Sequence, residues 1–399
     1  MSAARPVLAL ALGAGAAGRG GALAGAVVAA LGDAQQWLGD AAAGADAAPD
    51  VARRLRARGA AAVCIAGVAR ADGRLLHWLD TAHARGWLAA PGEAPAAGDA
   101  GSFAGEWAAA MGKGFVAADA AVIAAMALAG GGRPGFIEDP RLLPRLSWGE
   151  APRFMAPPRV AAQGRLGLYA IVDSAERLQQ VLAAGVRTVQ LRIKAPDFDA
   201  PGASAAAAEA WQAMLRREVV RSVAACRGVG AELYINDHWE AAAELGAFGV
   251  HLGQEDLAAM DEPRRAAVLA SGLALGVSSH SLWELARAAA LAPRYIACGP
   301  VWATLTKEMP WQPQGLDNLA WWCRMAPAPV VAIGGIMSPH QVQDAARCGA
   351  DGVCIVRGLG ERPQDTVPAL RAALEAGRRE PPAESPAAAW PHPSLAAAG

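Results

Sequence analysis

The sequence predicts an α/β protein, a (β/α)8 TIM barrel preceded by a smaller α/β domain. Three observations carry this. After residue 166, eight short apolar runs alternate with helix-length segments over roughly 210 residues, the size and order of such a barrel. Each run opens at its C-terminal end into a polar or Gly-rich cluster. Parallel strands bring those ends to one rim, where ligands collect.

The elements follow in order. Residues 1–155 are rich in Ala and Gly. They read as a strand at Pro6–Leu12, a Gly-rich turn, a helix from about Ala22 to Leu31 and a helix near Val51–Arg58. A strand at Ala61–Ala66, a helix at Leu75–Arg85 and helices at Gly101–Met111 and Ala117–Ala129 complete a domain with strands too few for a large sheet. Pro140, Pro144, Pro152, Pro157 and Pro158 mark a linker. The barrel is expected over 160–380. Its strands are Gly167–Val172, Thr188–Leu191, Leu233–Ile235, Gly249–Leu252, Ala274–Val277, Tyr295–Cys298, Val330–Ile333 and Gly352–Val356. Ala175–Ala184, Ala203–Cys226, Leu282–Leu291 and Pro339–Cys348 read as helices between them, with a doubly wound open sheet as the alternative. The Pro-rich tail, 381–399, is expected to be disordered.

A chain of 399 residues, 54% hydrophobic and 18% charged, suits two packed domains. Its net charge of −1 leaves no electrostatic footprint for nucleic acid or an anionic membrane, so small molecules are the expected partners. Cys64, Cys226, Cys298, Cys323, Cys348 and Cys354 form no CxxC pair or metal spacing and read as free thiols in a reducing compartment. Arg5 before Val7–Leu12 resembles the opening of a signal peptide, but the apolar core is short and a cytoplasmic location is expected. No run approaches the ~20 apolar residues of a membrane span. Homo-oligomerisation stays open.

The chemistry sits at the strand ends. After the second barrel strand, Gln190, Arg192 and Lys194 alternate and project from one face, a fork-shaped donor and a point charge that suit a diphosphate. After the third and fourth come Asn236, Asp237 and Asp256. Two carboxylates at neighbouring strand ends can converge on one hard cation, with the oxygen ligands that Mg²⁺ prefers. His251, inside a strand, reads as a hydrogen-bonded structural histidine. After the fifth strand, Ser278 or Ser279 either caps the next helix or helps bind an anion. After the sixth, Thr304, Thr306 and Lys307 offer three donors in alternation. After the seventh and eighth, Gly334-Gly335 and Val356-Arg357-Gly358 let backbone amides approach a monophosphate. The chain thus offers two anion sites, one cationic and metal-assisted, one Gly-rich.

Together, Gln190–Lys194, Ile235–His238, Gly249–Asp256, Gly276–His280, Gly299–Lys307 and Ala332–Ile336 resemble the thiamine phosphate synthases, in family order from about Gly167 to Gly360. The resemblance implies a Mg²⁺-dependent transferase. It would join 4-amino-2-methyl-5-hydroxymethylpyrimidine diphosphate to a thiazole phosphate, releasing pyrophosphate, with CO₂ when the thiazole carries a carboxylate. It implies that Gln190, Arg192, Lys194 and Asn236 hold the diphosphate substrate and that Asp237 and Asp256 bind Mg²⁺. Ser278 and Lys307 would contact the pyrophosphate as the catalytic pair, and Thr304, Thr306 and Gly335 the thiazole phosphate. The implied mechanism is dissociative and needs no side-chain nucleophile. Arg357 stands where many family members carry a small Ser.

The N-terminal segment, with Ser102 in a Gly-rich helix start, faintly resembles the ribokinase-like hydroxymethylpyrimidine phosphate kinases and reads as a non-catalytic remnant. The alternatives are a thiazole tautomerase, in which the residue near His280 would transfer the proton, and a non-catalytic binder of phosphate ligands.

Overall fold

A computed structural model of the chain describes residues 9–12, 25–91, 100–130, 138–154, 165–196, 198, 204–304, 310–381 and 391–395. The N-terminal part runs β1 (Ala9–Leu12), β2 (Ala26–Ala30), α1 (Leu31–Leu38), α2 (Ala48–Ala57), β3 (Ala62–Ala71), β4 (Arg74–Asp80), β5 (Arg85–Ala90), α3 (Ala100–Gly112), α4 (Ala117–Ala129) and β6 (Arg145–Leu146). These strands form one sheet in sequence order, parallel from β1 to β3 and antiparallel from β3 to β6.

Alternation along the strands makes a three-layer sandwich. Val27 and Val63 face α1 and α2 with Trp37, Val51 and Leu55. Their neighbours Val28 and Cys64 face the opposite way, toward Phe103 of α3 and Val122 of α4.

Four expectations for this half need correction. A helix is expected over Ala22–Leu31, yet Ala26–Ala30 is β2, paired on both edges. Its Val27-Val28 core is β-branched, and both faces are buried, so no period shows. The stretch Leu75–Arg85, expected as a helix, is β4 and the turn into its antiparallel partner β5, with Trp78 opposite Trp87. A short apolar run covered on both sides has no periodicity to separate strand from helix. The strands number six rather than too few for a large sheet. The Pro-rich linker is in part structural, since Arg145–Leu146 pairs with β5.

The barrel follows the expected order. It comprises β7 (Gly167–Val172), α5 (Ala175–Ala183), β8 (Thr188–Leu191), α6 (Ala205–Val229), β9 (Glu232–Asn236), α7 (Trp239–Glu244), β10 (Gly249–Leu252), α8 (Gln254–Ala259) and α9 (Glu262–Ala270). Then come β11 (Ala274–Ser279), α10 (Leu282–Ala289), β12 (Tyr295–Cys298), α11 (Gly315–Met325), β13 (Val330–Ala332), α12 (Pro339–Arg347), β14 (Gly352–Ile355) and α13 (Pro363–Arg379). All eight strands are parallel, and β14 closes on β7.

Serine starts several of the helices. Ser174, Ser204, Ser281 and Ser338 each accept a backbone N–H from the third residue on. The cap of α10 is therefore Ser281, not Ser278 or Ser279. All three tyrosines of the chain fill the barrel interior, packed edge-on or tilted with centroids 5.2–5.9 Å apart. Gly276 makes room for them, because a Cβ there would lie 2.2 Å from the Tyr295 ring.

One apolar cluster continues from α3 and α4 into the barrel. α4 packs on α10, and all eight residues of α10 are buried. The tail expected to be disordered is docked in part. His392 bonds Asn318 and the Gln314 carbonyl, and Gln312 donates to the Ser394 carbonyl. Among the described residues, no helix is long and apolar enough to cross a membrane.

Candidate active site

A cavity of about 270 Å³ opens at the C-terminal rim of the barrel. Gln190, Arg192, Lys194, Asn236, Asp237, Asp256 and Ser278 line one side. Thr304, Gly334, Gly335, Val356 and Arg357 line the other. The described residues among these expectations thus share one cavity, except Ser279 and Gly358, which do not line it, and the two expected anion sites are neighbouring parts of it. Thr306 and Lys307 lie outside the described residues.

The cationic side is built from short strand ends. β8 ends at Leu191, and the extended chain beyond carries Arg192 and Lys194 inward. The Lys194 ammonium sits 2.5 Å from Asp237. Asp237 adopts a left-handed backbone with φ 65°, uncommon for a side chain larger than glycine. That turn follows buried Asn236 and aims the carboxylate into the cavity instead of continuing β9. Asp256 stands at the start of α8, where it accepts the Gly253 N–H at 2.9 Å. Burial first, then the Asp237 carboxylate, push the Asp256 carboxyl above the usual carboxylate range. Two carboxylates pressed together beside one ammonium can hold a divalent cation whose remaining ligands are water or phosphate oxygens. Among the described residues, no group of three or more His, Cys, Asp or Glu could hold a metal by itself.

Beneath this side runs a hydrogen-bonded chain. Gln190 donates to the Tyr169 hydroxyl at 3.1 Å, and Tyr169 meets Tyr295 at 2.7 Å. Tyr295 reaches His251 Nδ1 at 2.8 Å, and His251 Nε2 reaches Ser278 Oγ at 3.0 Å. Burial pushes the His251 imidazole down to about 4, so it is neutral at physiological pH. His251 is the bonded histidine that the sequence suggests, with the added task of orienting Ser278.

The Gly-rich side owes its glycines first to packing. A Cβ on Gly334 would lie 2.6 Å from Pro300 Cα, and one on Gly335 would lie 2.7 Å from the Ala303 carbonyl. Both have left-handed φ, 94° and 71°. The loops after β12 and β13 are pressed together, and their backbone forms the wall. Arg357 is exposed at the cavity edge.

Sequence reasoning missed several residues. Glu284, Gln254 and Trp311 also line the cavity. Glu284 is 3% exposed and accepts from the His280 N–H at 2.6 Å, with His280 Nδ1 at 2.8 Å. His280 stacks on Trp311 at 5.3 Å. The four-residue spacing of His280 and Glu284 was a usable signal, since it places both at one helix start. Gln254 donates to the Ser278 and Glu284 carbonyls, a link that only tertiary structure reveals.

The family model described as thiamine monophosphate synthase matches residues 168–359. Thiamine-phosphate synthase of Neisseria meningitidis serogroup A is 43% identical over 210 residues, 52% of this chain and 94% of that protein. Its counterpart in Rhizobium etli is 43% identical over 196 residues, 49% of this chain and 87% of that protein. A solved thiamine phosphate pyrophosphorylase from Pyrococcus furiosus is 26% identical, with a TM-score of 0.44 over 53% of this chain and 96% of that one. The family model and the two synthase relatives lend no support to a tautomerase or a non-catalytic binder. Through its barrel, the chain belongs to the thiamine-phosphate synthase family.

Proposed function

We infer that the barrel carries out the family's transfer. It condenses 4-amino-2-methyl-5-hydroxymethylpyrimidine diphosphate with thiazole phosphate, giving thiamine phosphate and pyrophosphate. The observation that carries this reading is the single cavity in which a cationic wall faces a Gly-rich one. No side chain need attack. The C–O bond to the diphosphate breaks first, its electron pair leaving with pyrophosphate, and the aminopyrimidine stabilises the methylene cation. The thiazole nitrogen then forms the new C–N bond.

Arg192, Lys194 and Lys307 receive the charge that develops on pyrophosphate, and Ser278, held by His251, donates to it. Gln190 and Asn236 orient the pyrimidine. The buried Nδ2 of Asn236 has no partner among the described residues, which suits a donor kept for substrate. Thr304, Thr306, Gly334, Gly335, Val356 and Arg357 hold the thiazole phosphate. Asp237 and Asp256 would hold Mg²⁺, whose chemistry is neutralisation of the leaving diphosphate.

Among the described residues, all that line the cavity come from the barrel, so residues 1–155 are read as a non-catalytic domain. A cytoplasmic setting suits a chain whose six cysteines are all free thiols. The test is pyrophosphate release by the purified chain. Release should need both substrates and Mg²⁺ and should yield thiamine phosphate in equal amount. Release without the thiazole phosphate, or none from a folded chain, would overturn the reading.

A further inference from the structure

Helix α4 of the N-terminal domain packs on α10 beside the site. α4 is apolar except for Asp119, the lone charge in Ala117–Ala129, and that carboxylate is 1% exposed. It crosses to the barrel, where its Oδ1 accepts the Trp283 N–H of α10 at 2.9 Å, with the Leu282 N–H beside it. The first N–H groups of a helix have no partner within the helix. The Ser281 hydroxyl accepts that of Glu284, and its carbonyl that of Leu285. Asp119, from the other domain, therefore completes the start of α10.

That turn also carries Glu284, whose carboxylate fixes the backbone and ring of His280 at the cavity wall. Other contacts fasten the same helix. Arg287 donates to the Arg85 carbonyl at 3.0 Å and lies over the Trp148 ring. Trp148 Nε1 donates back to the Arg287 carbonyl at 3.1 Å.

We infer that Asp119 is a positioning residue: through the first turn of α10 and Glu284, the N-terminal domain sets His280 in the active site. Displacing an aligned group by about 1 Å can cost about a hundredfold in rate.

This inference rests on the synthase reading, and the experiment separates the two. In the full chain, Asp119→Ala should lower kcat/KM about tenfold, while Asp119→Asn, which keeps an acceptor oxygen, should lower it less than about twofold. Glu284→Ala should lower it at least as far as Asp119→Ala. The double variant should be no worse than Glu284→Ala alone, because Asp119 acts through Glu284. Additive losses, or an undiminished kcat/KM in folded Asp119→Ala, overturn the inference.

Hydrogen exchange at the His280 amide needs no turnover. It should quicken in Asp119→Ala and stay at the wild-type rate in Asp119→Asn. Unchanged exchange in Asp119→Ala overturns the inference, whereas a wild-type chain that makes no thiamine phosphate counts against the synthase reading. Should Asp119→Ala not fold, Asp119→Ser replaces it, since its shorter side chain cannot span to the Trp283 N–H.

Discussion

The hydroxyl of Tyr295 stands 2.8 Å from His251 Nδ1, so a residue of the barrel core fixes the imidazole that orients Ser278 at the site. Tyr295→Phe should leave the His251 nitrogen and the Tyr169 hydroxyl short of a partner. The cost should be about 1–3 kcal/mol in denaturant unfolding, with a several-fold fall in kcat. Wild-type stability in that variant would show that the chain of hydroxyls is dispensable.

Asp256→Ala should lower kcat/KM by about a hundredfold through lost Mg²⁺. It also removes the bond to the Gly253 N–H together with the buried charge that Asp237 repels, so stability should change little. Steady-state rates across a Mg²⁺ titration check the first, and thermal unfolding checks the second. Unaltered Mg²⁺ dependence would remove Asp256 from the metal site.

Lys194→Met should raise KM for the pyrimidine diphosphate by about tenfold or more, with a smaller effect on the thiazole phosphate. The neutral side chain also releases Asp237 from its ion pair. Equal effects on both substrates would place Lys194 elsewhere than on the diphosphate.

Burial, the largest cause, raises the Asp119 carboxyl to about 7, from 3.8. The folded state thus binds a proton that the unfolded chain has lost, so this contribution is present below pH 3.8 and fades as pH rises through 7. A raise of that size corresponds to roughly 4 kcal/mol. Asp119→Asn should gain stability over wild type steadily between pH 4 and 7, then hold a constant margin. Urea unfolding across that range measures the difference. A margin independent of pH would refute the assignment.

Gly276→Ala should cost about 2 kcal/mol or more by overpacking, since its Cβ would meet the Tyr295 ring at 2.2 Å. A stable variant would mean that the ring can move aside.

The barrel was legible in the sequence because its strands are short, its loops polar and its helices amphipathic. Gln190, Asn236 and Asp256 all announce themselves as polar residues ending apolar runs. The N-terminal sheet was not, because β2 and β4 are covered on both faces and lose the alternation that marks a strand. The site was legible where one residue type at a strand end implies a chemistry. It was not where function comes from a partner far along the chain. Glu284 looks like an ordinary first-turn acid, and Asp119 lies 164 residues from the N–H it accepts. The glycines at 334 and 335 point to an open approach for ligand, while the structure shows loops that could not otherwise pass each other.

Helix α10, buried on every side, narrows how this protein can associate with itself. The outer helices of a barrel ordinarily form a ring of equivalent docking faces. Here the N-terminal domain covers α10, and residues 391–395 lie against α11. The face of the ring at α10 is therefore closed to any partner while the two domains stay packed together.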